Sequence, residues 1–277
     1  SSLIVFPFML KYYKEYYIGK YFSIKLIMSL TVKEIKVKSI LTQSGIPGAD
    51  YCINPYVGCA HGCRYCYATF MKRYTGHTEA WGSFVDVKIN AQEILQRQLK
   101  RMARGRIIIS SVTDPYQPIE AKYRLTRQCL EVLLQHQFPV DILTKSPLVL
   151  RDMDMIKKFK DIEVGLTITT DNEEVRKVFE PHAPSIVARI NALKTLHEHG
   201  IKTYAFLGPV LPMNPEALSK KIRPHVDSVI IDRMNYPSKT LRIYQRMNLD
   251  KWLDKDFTDD IIQRLRNGFA EMPVSIC

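Results

Sequence analysis

Repeats, low-complexity tracts and long apolar runs are missing from this sequence of 277 residues. With 12 Gly and 15 Pro it lacks the composition of collagen, and its ordinary balance of apolar and charged residues excludes a coiled coil or a wholly disordered chain. Only 6 cysteines are present. A chain of this length buries roughly 75% of the surface that it exposes on unfolding, so its core needs no disulfides. The cysteines are therefore available for chemistry.

Acidic residues are outnumbered by basic ones, 28 to 40, which gives a formal net charge of +12. Such an excess is compatible with an anionic partner such as nucleic acid or lipid headgroups. The positive charges concentrate in residues 97–106 and 157–160, and runs of this kind are usually solvated helix faces. No aromatic residues interleave with the run at 97–106 as a single-strand stacking platform requires, so nucleic acid is a candidate partner only.

Residues 1–28 differ from the rest of the chain in their density of tyrosine, lysine and apolar residues. Their longest uncharged stretch, residues 1–10, is shorter than the ~18 residues of a membrane-spanning helix. The apolar residues come first, whereas a signal peptide begins with basic ones. We expect neither a membrane span nor an export signal there. We interpret 1–28 as an extension ahead of a start at Met28, with an amphipathic membrane anchor as the alternative, and 29–277 as one domain with C-terminal helices.

From residue 33 onward, strand-like and helix-like segments alternate, which indicates βαβ crossovers and a parallel sheet. About six βα units are too few for a closed eight-stranded barrel, so we predict an α/β fold built as a partial (β/α)6 TIM-like barrel. The helix at 90–104 is expected to begin with Asn90 as its cap, and the helix at 185–199 to end at Gly200. The predicted strands are 52–57, 106–112, 139–144, 162–169, 202–208 and 226–232, and the predicted helices are 90–104, 124–136, 150–158, 172–179, 185–199, 215–222, 239–247 and 257–268.

Three cysteines follow the first predicted strand, in the segment NPYVGCAHGCRYCYATF at 54–70. Cys59, Cys63 and Cys66 form the pattern C-x3-C-x2-C, which can ligate three irons of a [4Fe–4S] cluster and leave the fourth without a protein ligand. Gly58 and Gly62 relieve steric limits where the backbone must wrap such a cluster. The carboxyl end of a barrel strand is also where this architecture keeps its active sites.

A zinc ion held by the three cysteines and His61 is one alternative, and simple packing of the cysteines is another. Zinc fingers and ribbons bring their second pair of ligands about a dozen residues on, whereas the next candidates here are His77 and Cys129. The spacing therefore favours an iron–sulfur cluster. Because cluster thiols must stay reduced, it also favours a cytoplasmic protein.

The cysteine pattern, with an aromatic residue at Tyr65, resembles the signature of the radical SAM superfamily. The resemblance covers nearly all of residues 35–270. It implies that S-adenosylmethionine (SAM) binds the open iron of a [4Fe–4S] cluster, and that an electron from a reducing donor releases a 5′-deoxyadenosyl radical that abstracts hydrogen from a substrate. Further segments follow in the order found in the spore photoproduct lyase-like branch, which implies a lyase-like enzyme: 54–68, 110–120, 142–152, 164–170 and 200–212.

The same resemblance implies which residues contact SAM. Thr113 takes the place of a hydroxyl near the SAM amino group, and Asp114 follows where a carboxylate could bind that ammonium or the ribose. Lys145 matches a lysine near the SAM carboxylate, and Thr167 a second donor to it. Tyr65 matches the aromatic residue whose backbone contacts adenine. From the residues alone, Asp114 could instead start a turn and Lys145 could be a solvated charge at a strand end.

One position departs from the branch. The cysteine that donates a hydrogen atom to the product radical there corresponds to Ser111, whose O–H bond is too strong for that task. Spore photoproduct repair by that route is therefore not expected. Tyr67 and Tyr116 are weak candidates for a radical relay, against the simpler interpretation as surface or packing residues. Cys52 and Cys129 are expected to be packing residues.

We therefore predict a radical SAM enzyme whose substrate the sequence does not identify. A nucleic-acid repair or modification enzyme of the same chemistry is one alternative, which the charge of +12 would suit. A non-catalytic zinc or iron–sulfur binding module is the other. Arg189, one turn into the helix at 185–199, is expected to be structural because an arginine on a helix usually lies on a solvated or ion-paired face.

Overall fold

The computed structural model describes residues 30–277, so the expectations for residues 1–28 lie outside it. Apolar and β-branched runs form most of the strands, as their composition favours. In chain order the strands are β1 Thr31–Ile35, β2 Leu41–Gln43, β3 Tyr51–Ile53, β4 Tyr56–Val57, β5 Phe84–Lys88, β6 Ile107–Ile109, β7 Val140–Thr144, β8 Ile162–Thr167, β9 Lys202–Leu207, β10 Ser228–Ile231 and β11 Val274–Ile276.

The α-helices cover the outer face of the larger sheet and fall close to the predicted positions. Several begin at a side-chain cap: Asn172, Ser185 and Asn214 each accept a hydrogen bond from a backbone N–H in the first turn of the helix that follows. The helices are α1 Ala91–Leu99, α2 Glu120–Tyr123, α3 Leu125–His136, α4 Met153–Ile156, α5 Glu173–Phe179, α6 Ile186–Glu198, α7 Pro215–Ile222, α8 Leu241–Arg246 and α9 Lys255–Gly268.

The larger sheet has eight strands in the order β11-β10-β9-β8-β7-β6-β3-β2. From β3 to β10 neighbouring strands are parallel, which gives six parallel strands joined through helical crossovers. β11 adds a parallel strand at one edge and β2 an antiparallel strand at the other, so the sheet has two separate edges and stays open. The predicted partial (β/α)6 TIM-like barrel is confirmed.

The strands of the larger sheet present two different faces. Ile107, Ile109 and Ile142 point toward the helices and are fully buried in the main hydrophobic core. On the other face, which lines the barrel, Tyr204 of β9 reaches across β8 and its hydroxyl donates to Asp141 of β7 at 2.8 Å. The ring passes directly over Gly165, where any Cβ would collide with it. The barrel interior therefore holds polar as well as apolar groups.

A second sheet of three strands, β1-β5-β4, lies beside the first. Its strands β1 and β5 were not predicted, and the strand predicted at 52–57 is divided between β3 of the larger sheet and β4 of this one. β1 pairs with β5 in parallel and β4 pairs with β5 antiparallel. His77 fastens the loop before β5, because its Nε2 lies 2.8 Å from Asp86 Oδ1 and its Nδ1 lies 3.0 Å from Glu79 Oε2. This sheet supports the segment that precedes the cysteines.

Two predicted helices are shorter than expected. The helix expected at 90–104 ends at Leu99, and Asn90 does not cap it, since its side chain instead makes two hydrogen bonds of 2.9 Å with the backbone of Val37. The helix expected at 150–158 begins inside a 3-10 helix, Pro147–Asp152, and continues only through the single turn of α4, Met153–Ile156. Across residues 30–277 no helix combines the length and the apolar character needed to cross a membrane.

Candidate active site

The cysteine loop lies at the carboxyl ends of the parallel strands. It follows β3 and β4, and runs into a 3-10 helix, Tyr67–Tyr74. Two tight turns shape it, in which Gly62 N donates to Cys59 O and Cys66 N to Cys63 O, both at 3.2 Å. Gly58 precedes the loop with φ of +84°, and a Cβ there would collide with the carbonyl oxygen of Phe84. Glycine is thus required where the loop begins.

Burial raises the pKa of all three thiols of the loop. Cys59 and Cys63 are buried and Cys66 is half-buried. In the described part of the chain, no three His, Cys, Asp or Glu side chains are grouped closely enough to hold one metal ion. Burial raises the pKa of Cys63 to about 12, although the Lys145 ammonium opposes this. An incoming metal must therefore displace the thiol protons.

Asp114 ties the end of β6 to the end of β7. Its Oδ1 accepts hydrogen bonds from the Thr144 hydroxyl at 2.6 Å and from the backbone N–H of Tyr116 at 2.9 Å. Its Oδ2 accepts from the backbone N–H of Lys145 at 2.8 Å and lies 3.4 Å from His61 Nε2. Burial opposes ionisation, but these partners hold the pKa of Asp114 at about 2. The carboxylate is already engaged by the chain's own donors.

Thr113 also binds the chain itself. Its hydroxyl donates to the carbonyl of Gly58 at 2.6 Å and accepts from Gln117 Nε2 at 2.9 Å. Gln117 Oε1 in turn accepts from the backbone N–H of Ala60 at 2.8 Å. Thr113 and Gln117 therefore brace the cysteine loop on either side of Cys59.

Lys145 and Tyr65 lie close together beside this loop, and Thr167 lies at the end of the neighbouring strand. Lys145 directly follows β7, and its Nζ lies 5.7 Å from the centre of the Tyr65 ring. Its side chain is 15% exposed, enough to contact a bound molecule. Thr167 ends β8 and is buried. The structure thus brings these three predicted residues to one end of the barrel, next to the thiols.

Glu180, a residue that the sequence analysis did not single out, lies at the centre of this group. It follows α5 and is fully buried. Its carboxylate accepts hydrogen bonds from the Tyr65 hydroxyl, from the guanidinium of Arg189 and from the Thr169 hydroxyl. Burial opposes ionisation, but Arg189 and then Lys145 hold the pKa of Glu180 at about 2. Arg189 is fully buried as well, so it serves this carboxylate and not a solvated helix face.

The two tyrosines considered as radical relays lie in different environments. Tyr116 is fully buried in the main core, with its ring centre 5.9 Å from the guanidinium carbon of Arg151. Tyr67 is 42% exposed, and its hydroxyl donates to the carbonyl of Ser111. Only Tyr67 of the two therefore combines exposure to solvent with a contact to residue 111.

A thiol lies next to Ser111. The Sγ of Cys52 is 3.1 Å from the Ser111 hydroxyl oxygen and accepts a hydrogen bond from Asn54 Nδ2, also at 3.1 Å. Cys129 is packed in the main apolar core, whereas Cys52 is buried among polar groups. The sequence could not reveal this, because the contact joins residues that are 59 positions apart.

Exposed aromatic residues line the edge of the site. Tyr67, Phe70 and Tyr74 follow one another along the 3-10 helix, with ring centres 6.3 and 6.5 Å apart. Tyr236, in the segment after β10, is also exposed. We call these four residues the aromatic rim. Lys239 joins its two parts, since its Nζ donates to the carbonyl of Cys66 at 2.6 Å and lies 5.3 Å from the centre of the Tyr236 ring.

The segments that carry the aromatic rim are strongly basic. Residues 64–76 and 233–249 contain no acidic residue. Their positive charges are Arg64, Lys72, Arg73, Lys239, Arg242 and Arg246, together with Arg233, which is paired with Asp259. A surface of this composition attracts polyanions.

Comparison with known proteins agrees with this geometry. Residues 53–221 match the family model of the radical SAM superfamily. An uncharacterized protein of Methanocaldococcus jannaschii is 38% identical over 248 residues, which cover 86% of this chain and 94% of that protein. A radical SAM Nα-GlyT isomerase of Pseudomonas phage M6 is 27% identical over 161 residues, 57% of this chain and 32% of the isomerase.

Among solved structures, the chain is similar in fold to spore photoproduct lyase complexed with dinucleoside spore photoproduct. The TM-score is 0.66 at 14% sequence identity, and the match covers 89% of this chain and 82% of the lyase. The likeness extends over most of both molecules, so it concerns the whole barrel as well as the cysteine loop.

Proposed function

Since the chain belongs to the radical SAM superfamily, we propose that Cys59, Cys63 and Cys66 bind its [4Fe–4S] cluster and that the open barrel beside them holds the substrate. Enzymes of this superfamily use that cluster and SAM, which together supply a 5′-deoxyadenosyl radical that abstracts hydrogen from a substrate. The observation that carries the proposal is the loop of three cysteines at the carboxyl ends of the strands, with the Lys145 ammonium beside it.

The chain's own residues have distinct tasks in binding SAM. Lys145 is suited to the SAM carboxylate, because an ammonium and a carboxylate form a strong charge-assisted hydrogen bond. Thr167, at the end of the next strand, is proposed as a second donor to that group, and the backbone of Tyr65 as a contact for adenine. The contacts of Thr113 and Asp114 favour a supporting task, since Thr113 braces the loop and Asp114 holds the backbone of Lys145.

Cys52 is our proposed source of the hydrogen atom that returns to a substrate radical. The S–H bond of Cys52 is weak. Cys52 also lies beside Ser111, the position that corresponds to the hydrogen-donating cysteine of the spore photoproduct lyase-like branch. Transfer of the thiol hydrogen forms a substrate C–H bond and leaves a sulfur radical. One electron and one proton from the reductant that feeds the cluster then restore the thiol. Tyr67, which contacts Ser111, is the candidate relay for that electron and proton.

Anaerobic reconstitution with iron and sulfide, followed by dithionite and SAM, tests this function. We expect a reduced-cluster signal in electron paramagnetic resonance and the formation of 5′-deoxyadenosine. Both should disappear in Cys63→Ala and persist in Cys129→Ala, which removes a buried thiol outside the loop. A colourless protein that holds one zinc ion and forms no 5′-deoxyadenosine would refute the proposal.

The aromatic rim favours a nucleic acid as the substrate. Proteins that bind single strands combine aromatic rings, on which bases stack, with cations that contact the phosphates. The rim offers four exposed rings within two segments that carry only positive charges. The structurally similar lyase is complexed with dinucleoside spore photoproduct. We therefore propose that the enzyme modifies or repairs a base in a single-stranded region.

A further inference from the structure

A fully buried ion pair lies behind the proposed SAM site. Glu180 and Arg189 are both 0% exposed. Arg189 also donates to the carbonyl of Thr167 at 3.0 Å, so the pair is attached to the end of β8. A charge without a partner is very costly in a protein interior, and each of these two charges balances the other.

Lys145 is a second cation, after Arg189, beside the Glu180 carboxylate. Its Nζ lies 4.0 Å from Glu180 Oε1, which is longer than a hydrogen bond. The attraction of Glu180 limits where the ammonium can lie without using up its three donors. The partly exposed lysine can thus hold a bound anion on its other side.

The chain around Glu180 is fastened to the cysteine loop. Arg64 N donates to the carbonyl of Phe179 at 2.9 Å, and His182 N donates to the carbonyl of His61 at 3.3 Å. Glu180 lies between these two backbone contacts and also accepts the Tyr65 hydroxyl. One carboxylate thereby links the loop, the tyrosine and the lysine.

We propose that Glu180 is a positioning residue for SAM, which fixes the Lys145 ammonium and the Tyr65 ring against the cysteine loop before SAM arrives. This inference rests on the proposed function, in which Lys145 contacts the SAM carboxylate. A lysine that is already in place binds its anion without the entropic cost of ordering four torsions. Glu180 therefore raises the affinity for SAM through Lys145 and touches no SAM atom itself.

A double-mutant cycle tests this inference on the reconstituted, unreduced protein, with the dissociation constant of SAM as the readout. We expect Glu180→Gln to weaken binding about tenfold in the parent protein and to have little further effect in a Lys145→Met background. A residue that merely supports the fold would give the same loss in both backgrounds. That result would overturn the inference.

Glu120 provides a matched control. It is also fully buried, and it accepts hydrogen bonds from the Tyr56 hydroxyl and from Arg151 Nη2. Glu120→Gln therefore removes the same kind of carboxylate with a different tyrosine and a different arginine. We expect it to leave the dissociation constant of SAM unchanged, and equal losses in Glu120→Gln and Glu180→Gln would contradict the proposal.

If Glu180→Gln does not fold, the double change Glu180→Gln with Arg189→Met removes both buried charges together, which proteins tolerate better than the loss of one. It should weaken SAM binding about as much, since Lys145 loses the same anchor, and unchanged binding would overturn the inference. Parent protein that holds its cluster but binds no SAM would overturn the proposed function itself. Failure of the inference alone would leave binding by the parent protein intact.

Discussion

At the scale of single residues, Gly165 and Tyr204 set the interior of the barrel. The tyrosine ring occupies the space where a side chain at position 165 would lie, and its hydroxyl reaches Asp141 two strands away. The three residues belong to three neighbouring strands, so this contact fixes how β7, β8 and β9 lie relative to one another. A small residue in the central strand is what allows it.

We expect Gly165→Ala to lower the free energy of unfolding by about 3 kcal/mol, because the new methyl group displaces the Tyr204 ring and breaks its hydrogen bond with Asp141. Urea denaturation followed by circular dichroism measures the change. Gly45→Ala is the control, since no atom lies within 4 Å of the added Cβ, and its effect should stay within about 0.5 kcal/mol. Equal effects at both positions would contradict this account.

If Cys52 supplies the hydrogen atom that returns to the substrate radical, isotope labelling should show it. A thiol proton exchanges with solvent, so in D₂O the product formed by the parent enzyme should gain one deuterium from Cys52, roughly in full. Cys52→Ala should form 5′-deoxyadenosine without that labelled product, as mass spectrometry of an oligonucleotide substrate would reveal. Cys129→Ala, which alters a thiol in the apolar core, should retain the label. Full labelling in Cys52→Ala would exclude this thiol as the donor.

At the scale of elements, His77 joins two carboxylates at the smaller sheet. Burial disfavours the charged form of His77, but its hydrogen bonds to Asp86 and Glu79 outweigh this and raise its pKa above the usual value. The folded state therefore favours the imidazolium. Its contribution to stability is complete at a pH below the pKa of a histidine in an unfolded chain, about 6.5, and is lost as the pH rises through the raised value.

We accordingly expect the urea midpoint to fall between pH 6 and pH 9, and His77→Gln to reduce this dependence. The comparison of variant and parent at each pH isolates the histidine from other titrating groups. His136→Gln is the control, because that side chain lies on α3, outside the smaller sheet. A pH dependence as steep in His77→Gln as in the parent would show that the two carboxylates do not stabilise the imidazolium.

The sequence predicted the elements whose pattern is local. Buried runs such as residues 107–109 and 140–144 indicated the parallel strands, and α3 lies within one residue of its predicted limits. The strand β1 was not predicted, because four of its five residues are exposed and its sequence shows no alternation of apolar and polar residues. The helix expected at 150–158 begins as a 3-10 helix, since Ser146 and Pro147 set a tighter first turn.

Some residues of the candidate active site could likewise be predicted from the sequence, and others could not. The cysteine spacing identified the cluster loop, and the resemblance to a family directed attention to Lys145 and Tyr65. Glu180 was not predicted as a site residue, because a glutamate just after a helix is ordinarily solvated. Its burial depends on Tyr65, 115 positions away, and Cys52 meets Ser111 across 59 positions. Contacts at such separations arise only when the sheet is assembled.

At the scale of the whole molecule, the two segments that carry the aromatic rim contain positive charges and no acidic residue. We expect single-stranded oligonucleotides to bind with an affinity that falls steeply with salt. Replacing Arg73 and Arg242 together by alanine should make the slope of log K against log salt shallower by about 1.4, if each contacts one phosphate. Fluorescence anisotropy with an oligo-dT probe at several salt concentrations measures this slope.

The control for charge is the pair Lys157→Ala and Lys160→Ala, which removes two exposed cations outside the rim segments and should leave the slope nearly unchanged. Tyr74→Ala tests stacking, and we expect a loss of about 1–3 kcal/mol in binding with little change of slope. Equal effects of the two charge pairs would mean that binding is non-specific. Tight binding to anionic vesicles with none to oligonucleotides would assign the rim to a membrane surface instead.

The hydrogen bond of Lys239 can form only late in the synthesis of the chain. The carbonyl that Lys239 covers belongs to Cys66, which precedes it by 173 positions. On the ribosome, the three cysteines emerge long before the segment that carries Lys239, so this contact forms only when most of the chain has been made. The surroundings of the cysteine loop are therefore completed late in synthesis.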